Sequence, residues 1–251
     1  MKVAVCFFGL PRYSDYILDS FQRNVLALYD VDIYGHFWWS EEMVGTYKHR
    51  EFFDTWEKDT MDVLQKKLAF KKVAIEPQIK FDLSGYKHST TEPDLQVLTA
   101  DMCKDILFGN KSKWYSTQKA YKLIENPSDY DFIIISRLDC DYSKPIDLEV
   151  LKRDILYLQD GYRGGGNRKY NDVYAIGSPE VIHYYADIYN LTDKYHKDGL
   201  IHLHIHFEKL MTEDIPVPHV TYPFGVWIMH PSLFHYRRSS PYLTNNQTLL
   251  Q

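Results

Sequence analysis

Two carboxylates with one residue between them, Asp139 and Asp141, come shortly after the apolar run Phe132-Ile-Ile-Ile135. A short, continuous apolar run predicts a strand too buried to show polar alternation. Ligands of α/β proteins collect at the carboxyl ends of such strands. Two acids on a tight turn there can share a hard cation, Mn²⁺ or Mg²⁺, which takes one or two carboxylates and adds phosphate oxygens from a substrate. The spacing therefore predicts a metal-bridged diphosphate site; the plainer alternative is a solvated turn or a helix cap. Arg137 lies two residues before Asp139 and shares its strand face. There it either meets a phosphate or neutralises the acid.

The elements that must position these acids follow from periodicity. Val3 to Gly9 predicts a first buried strand, broken at Gly9-Leu-Pro-Arg12. Ser14 then caps a helix with the apolar stripe Ile17, Leu18, Phe21, Val25, Leu28. Strands are expected over 32–38 and 72–79, with Pro77 marking an edge or an end, and helix with an interruption near Gly45 over 41–69. A polar loop, 84–92, leads to a helix over 93–108 closed by Gly109, and a further helix over 112–125 precedes the strand before the acids. This alternation predicts an α/β fold: one Rossmann-like domain over 1–251, with a mainly parallel, doubly wound sheet flanked by helices. The second half is less regular. It offers a glycine-rich loop at 161–167 that suits a lid, a strand over 172–176, a helix after Ser178-Pro179, a helix over 207–212, and strands near 215–220 and 226–229.

Composition narrows the function classes. The length of 251 residues fits one large domain, and 45% hydrophobic content fills its core. Twenty-one tyrosines suit polar, ring-shaped ligands such as sugars or bases. A net charge of -5 without a basic arm argues against nucleic acid, and the lysines of 66–72 read as a solvated face. Cys6, Cys103 and Cys140 give neither a disulfide framework nor a zinc spacing, which favours a reducing compartment. No apolar run reaches the length of a membrane span, and Val3 to Leu10 is too short for a signal-peptide core. The expected location is the cytoplasm, a host's if the chain is viral, so Asn-x-Ser/Thr at Asn190 and Asn246 carries little meaning. His202, His204 and His206 have a strand-face spacing, and His202 and His206 a helix-face one, but without a further ligand they do not make a zinc site.

The pieces also have an order: Phe7-Phe-Gly-Leu-Pro-Arg12, Trp114-Tyr-Ser-Thr-Gln-Lys119, Arg137-Leu-Asp-Cys-Asp141, Asn171-Asp-Val-Tyr-Ala-Ile-Gly177, and Phe207-Glu-Lys-Leu-Met211 followed by Ile215-Pro-Val217. That order resembles the GT-A class of nucleotide-sugar glycosyltransferases, with small bacterial or large-virus enzymes as the nearest kin. The resemblance runs from residue 3 to about 220, and the acid pair is its one specific motif. It implies transfer of a sugar from a nucleotide-diphosphate donor, a UDP-sugar by preference, to a hydroxyl acceptor such as a glycan, with Mn²⁺ or Mg²⁺. Asp141 is then the principal metal ligand, Asp139 its partner nearer the ribose, and His230 or His235 a late extra ligand. Gly9 and Arg12 meet the nucleotide. Trp114, Tyr115 and Gln118 stack on and hydrogen-bond a base, unless Trp114 merely packs on the sheet. Asp172 and Glu208 compete for the general base, with binding of acceptor hydroxyls as the other role for Asp172. Residues 1–141 form the nucleotide-binding half and 142–251 the acceptor-binding half.

Three rivals remain. A haloacid-dehalogenase-like phosphatase would use Asp139 as nucleophile and Asp141 as acid/base, but carries its motif on the first strand. A sugar-1-phosphate nucleotidyltransferase needs a glycine-rich loop after strand one, and Gly9-Leu-Pro-Arg12 is too poor in glycine. A non-catalytic sugar-binding protein of the same fold has no need for the acid pair.

Overall fold

In the computed structural model, β1 (Lys2–Gly9) is buried from Val3 to Phe8, and its side chains divide by parity. Val3, Val5 and Phe7 enter one apolar cluster, while Ala4, Cys6 and Phe8 enter another. β4 (Phe132–Arg137) divides the same way, Phe132 and Ile134 on one face and Ile133 and Ile135 on the other. Alternate residues point to opposite faces of a sheet, so strands this apolar need cover on both sides. The result is three layers. The structure describes residues 1–46, 56–86, 99–160, 170–197, 199, 203–222 and 226–228.

Seven strands form the main sheet. With β2 (Asp30–Trp38), β3 (Lys72–Glu76), β6 (Leu156–Asp160), β7 (Tyr170–Gly177) and β8 (His219–Tyr222), the order is β3-β2-β1-β4-β7-β6-β8. β3, β2, β1 and β4 are mutually parallel, β7 is antiparallel to both β4 and β6, and β6 is parallel to β8. The sheet is thus mixed, and mostly parallel, rather than parallel throughout. β5 (Cys140–Tyr142) leaves it and pairs antiparallel with β9 (Val226–Ile228), setting Asp141 opposite Trp227.

One face is covered by α1 (Asp15–Phe21), which continues as a π-helical turn over Gln22–Leu26, and by α2 (Thr60–Leu68). Ser14 caps α1 as its sequence suggests, its hydroxyl accepting from the Ile17 N–H at 3.3 Å. The expected stripe ends early: Val25 is buried, but Leu28 is 46% exposed. The π turn shifts the register there, so the 3.6-residue period no longer aims Leu28 inward. The other face carries α3 (Ala100–Lys122), α4 (Pro179–Ala186) and α6 (Leu203–Glu213), with α5 (Thr192–Lys197) beside them. The two helices expected over 93–108 and 112–125 are one continuous α3 where described, passing straight through Gly109. Between 41 and 69 only Glu41–Met43 and α2 are helical among the described residues, and β3 stops before Pro77.

Candidate active site

The strand order places a switch point at the centre of the sheet. The chain builds β1, β2 and β3 outward in one direction, then returns across α3 to lay β4 on the other side of β1. Connections leaving on opposite faces open a crevice at the carboxyl ends of β1 and β4. A cavity of about 480 Å³ lies there, within the usual range for small-molecule sites. Gly9 and Arg12 contribute from the end of β1, Trp38 from the end of β2, and Arg137 and Asp139 from the end of β4. Asn110 and Lys113 approach from α3.

Gly9 is held in place from below. Its φ of 97° is a left-handed value that favours glycine, and its N–H donates to the Ser116 hydroxyl at 2.8 Å. Ser116 Oγ lies 2.8 Å from Nδ1 of buried His36, whose Nε2 lies 2.7 Å from Glu76 Oε1. Burial lowers the His36 pKa, while Glu76 works the other way. This chain of contacts ties β1, β2, β3 and α3 together beneath the cavity.

The charges lining the cavity do not cancel. Asp139 is gripped by Arg137, with Nε 2.8 Å from Oδ1 and Nη2 on Oδ2, and Arg12 stands 3.8 Å away. Burial works against both guanidiniums; Asp139 outweighs it at Arg137, whose pKa is raised, but at Arg12 burial wins, helped by the charge of Arg137. Lys113 forms an ion pair with Asp172, which is buried in β7. Burial lowers the Lys113 pKa to about 8 despite that carboxylate. Three cationic side chains thus face two carboxylates, leaving an excess of one positive charge. In a partly buried crevice that excess favours an anion.

Asp141 sits apart from the cavity lining. It is fully buried, with Oδ2 3.4 Å from the Tyr16 hydroxyl and Oδ1 without a hydrogen-bond partner. Its strand is clamped on the α1 side: Ser20 Oγ accepts from the Tyr142 N–H at 3.1 Å, and the Asn24 amide donates to the Tyr142 carbonyl. A buried carboxylate oxygen left unpaired costs on the order of 1–3 kcal/mol or more. A hard cation is one ligand that satisfies the Asp141 oxygen, while Asp139 lines the crevice with both oxygens on Arg137, so a shared cation needs Arg137 to give up part of its hold. Among the described residues, no three His, Cys, Asp or Glu side chains cluster as a ligand set.

The structure therefore gathers Gly9, Arg12, Arg137 and Asp139, with Asp172 behind Lys113. It leaves others outside the lining. Tyr115 stacks on the back of Trp38, with centroids 5.3 Å apart, and Gln118 donates to Asp187 at 3.0 Å. Trp114 packs against Tyr185 and Phe207. Glu208 is half-buried on α6 and is not part of the lining. His202, His230, His235 and the loop 161–167 lie outside the described residues, as do the side chains of His204 and His206.

Trp38, Asn110 and Lys113 were not read from the sequence as site residues. A signal existed for each. Trp38 ends β2 as Gly9 ends β1, and Ile106, Gly109, Asn110 and Lys113 share one face of α3 at i, i+3, i+4, i+7. The whole defines an α/β protein with an anion-attracting crevice at its switch point. Compared with known proteins, no family model matches the chain, and no curated protein matches it. Among the described residues, no helix is long and apolar enough to cross a membrane.

Proposed function

We propose that the protein is a metal-dependent glycosyltransferase that moves a sugar from a nucleotide-diphosphate donor to a hydroxyl acceptor. The observation that carries this reading is the excess positive charge of Arg12, Lys113 and Arg137 around Asp139 at the switch-point crevice. A departing diphosphate gains negative charge as the sugar leaves, and preorganised cations stabilise that change. Arg137 and Arg12 can exchange part of their hold on Asp139 for phosphate oxygens, because guanidiniums bind both groups in the same forked geometry. Asp139 and Asp141 would hold Mn²⁺ or Mg²⁺, which supplies Lewis-acid stabilisation of the leaving diphosphate. The GT-A assignment and the preference for a UDP-sugar rest on the resemblance of the motifs and their order. The mostly parallel sheet with its acid pair beyond β4 supports the first and does not bear on the second.

Asp172 belongs to Lys113. The ion pair gives it the part of positioning that lysine. Glu208, the other candidate for the acceptor-side base, stands on α6 outside the crevice lining. The phosphatase alternative needs its acid pair after the first strand, whereas this pair follows β4.

The test is thermal unfolding with UDP and GDP, with and without Mn²⁺. One nucleotide at saturation with metal should raise Tm by roughly 5–10 °C, as expected for ligand near a hundred times its Kd and a chain of this size. Asp141→Asn should lose that metal-dependent rise while still unfolding cooperatively, since the carboxamide keeps the shape of the buried group and an oxygen for the Tyr16 contact. No shift with any nucleoside diphosphate, with or without metal, overturns the reading.

A further inference from the structure

α3 separates the cavity described above from a second one of about 450 Å³. Residues advance about 100° per position around a helix, so Lys111 is turned away from the face that carries Gly109, Asn110 and Lys113. It enters the second cavity instead, where the rings of Phe81, Tyr86 and Tyr189 form walls.

A small network is already organised in this cavity. Lys111, nine-tenths buried, donates to the Tyr86 hydroxyl at 2.6 Å and to Asp193 Oδ1, and the Tyr86 hydroxyl donates to the same oxygen at 2.6 Å. Both donors therefore converge on one carboxylate oxygen. Oδ2 of Asp193 takes no hydrogen bond from the described residues, and the side chain is 49% exposed. Burial acts to raise the Asp193 pKa, but Lys111 and Tyr86 outweigh it, and the acid stays ionised. Buried His196 lies against the Tyr86 ring, and burial lowers it to about 4, leaving it neutral at physiological pH.

The charge balance differs from that of the first cavity. Lys111 and Lys197 face Asp82 and Asp193, two against two, so the lining has no net charge to concentrate an ion. What it offers is a mostly polar lining beside the rings of Phe81, Tyr86 and Tyr189, a half-exposed carboxylate side chain held by two donors, and further donors at Lys197 and Ser84. Apolar C–H faces of a pyranose pack on rings, and its adjacent hydroxyls donate to a carboxylate. We propose that this second cavity binds a neutral polyhydroxylated ring, a sugar residue, at a site distinct from the anion-attracting crevice. The inference stands on its own lining and goes beyond the proposed transfer. If both hold, the site engages a sugar of an extended acceptor at a distance from the reacting end.

The test is saturation-transfer-difference NMR on the full chain with neutral mono- and disaccharides, in the absence and presence of saturating UDP and Mn²⁺. Ring C–H protons of at least one sugar should receive saturation, and UDP should not displace it. Asp193→Asn should weaken that sugar by about tenfold or more, the cost of losing a charged hydrogen-bond acceptor, with nucleotide affinity unchanged. Lys197→Met, at the exposed rim and outside the Lys111 network, should weaken it less and decides the matter if Asp193→Asn fails to fold. The proposal is overturned if no neutral sugar is saturated, if UDP displaces the sugar, if an anion or zwitterion binds more tightly, or if the foldable variants bind as the parent does. Loss of nucleotide binding with sugar binding intact would sink the transferase reading alone.

Discussion

Lys113 titrates within reach of ordinary assays. Burial lowers its pKa to about 8 while Asp172 pulls the other way, so the ammonium discharges as pH rises through that value. Anion affinity at the crevice should then fall between pH 7 and 9, by a few-fold to about tenfold for the loss of one close charge. In Lys113→Arg the decline should vanish, because guanidinium stays protonated throughout. Titrating nucleotide against both proteins across that range checks this, and an equal decline in each would remove Lys113 from the site. The stability sign is opposite. A lysine with a depressed folded pKa binds its proton less tightly than in the unfolded chain, so this group's contribution favours folding increasingly from about pH 8 towards its ordinary value. At this scale the sequence made Gly9, Arg12, Arg137 and Asp139 legible, because each follows a buried strand. Lys113 was harder to see, since its only mark is the helix face it shares with Ile106, Gly109 and Asn110, and that periodicity does not say the face borders a crevice. Nor could spacing alone show that Asp141 turns into α1 and is shielded from solvent.

α3 is where periodicity misleads most. Glycine at position 109 reads as a stop, yet an isolated glycine inside a helix costs only about 1 kcal/mol, and packing of Leu107 and Trp114 outweighs it. Gly109 lines the crevice, and a Cβ there would meet nothing within 4 Å. Gly109→Ala should therefore stabilise the chain by about 0.5–1 kcal/mol, raising Tm by roughly 1–4 °C. The same methyl takes up crevice volume, so nucleotide affinity should drop. A rise in Tm with unchanged affinity would place the ligand elsewhere. β6 was missed for a different reason. It is five residues long, its register slips between Leu158 and Gln159, and it precedes a glycine-rich stretch, so no sustained alternation marks it.

For the molecule as a whole, the α/β class and the strand-helix alternation up to β4 were legible because local apolar runs determine them. The antiparallel turn of β7 was not. Strand direction depends on where a connection returns, which no local pattern encodes. The same limit hid the pairing of β5 with β9, two three-residue strands far apart in sequence. Trp227→Pro removes a backbone donor from that ladder while leaving all seven strands of the main sheet intact. The variant should keep its far-ultraviolet circular dichroism and lose the metal-dependent nucleotide shift. If that shift survives, the ribbon does not hold the acids in place.

That ribbon also sets an order of events on the ribosome. The carboxylates emerge midway through translation, but the backbone partner that fastens them emerges only after all seven main strands have been made. Long-range pairings close late. A nascent or prematurely terminated polypeptide can thus hold every strand of its main sheet and still lack the pairing that fastens the acids.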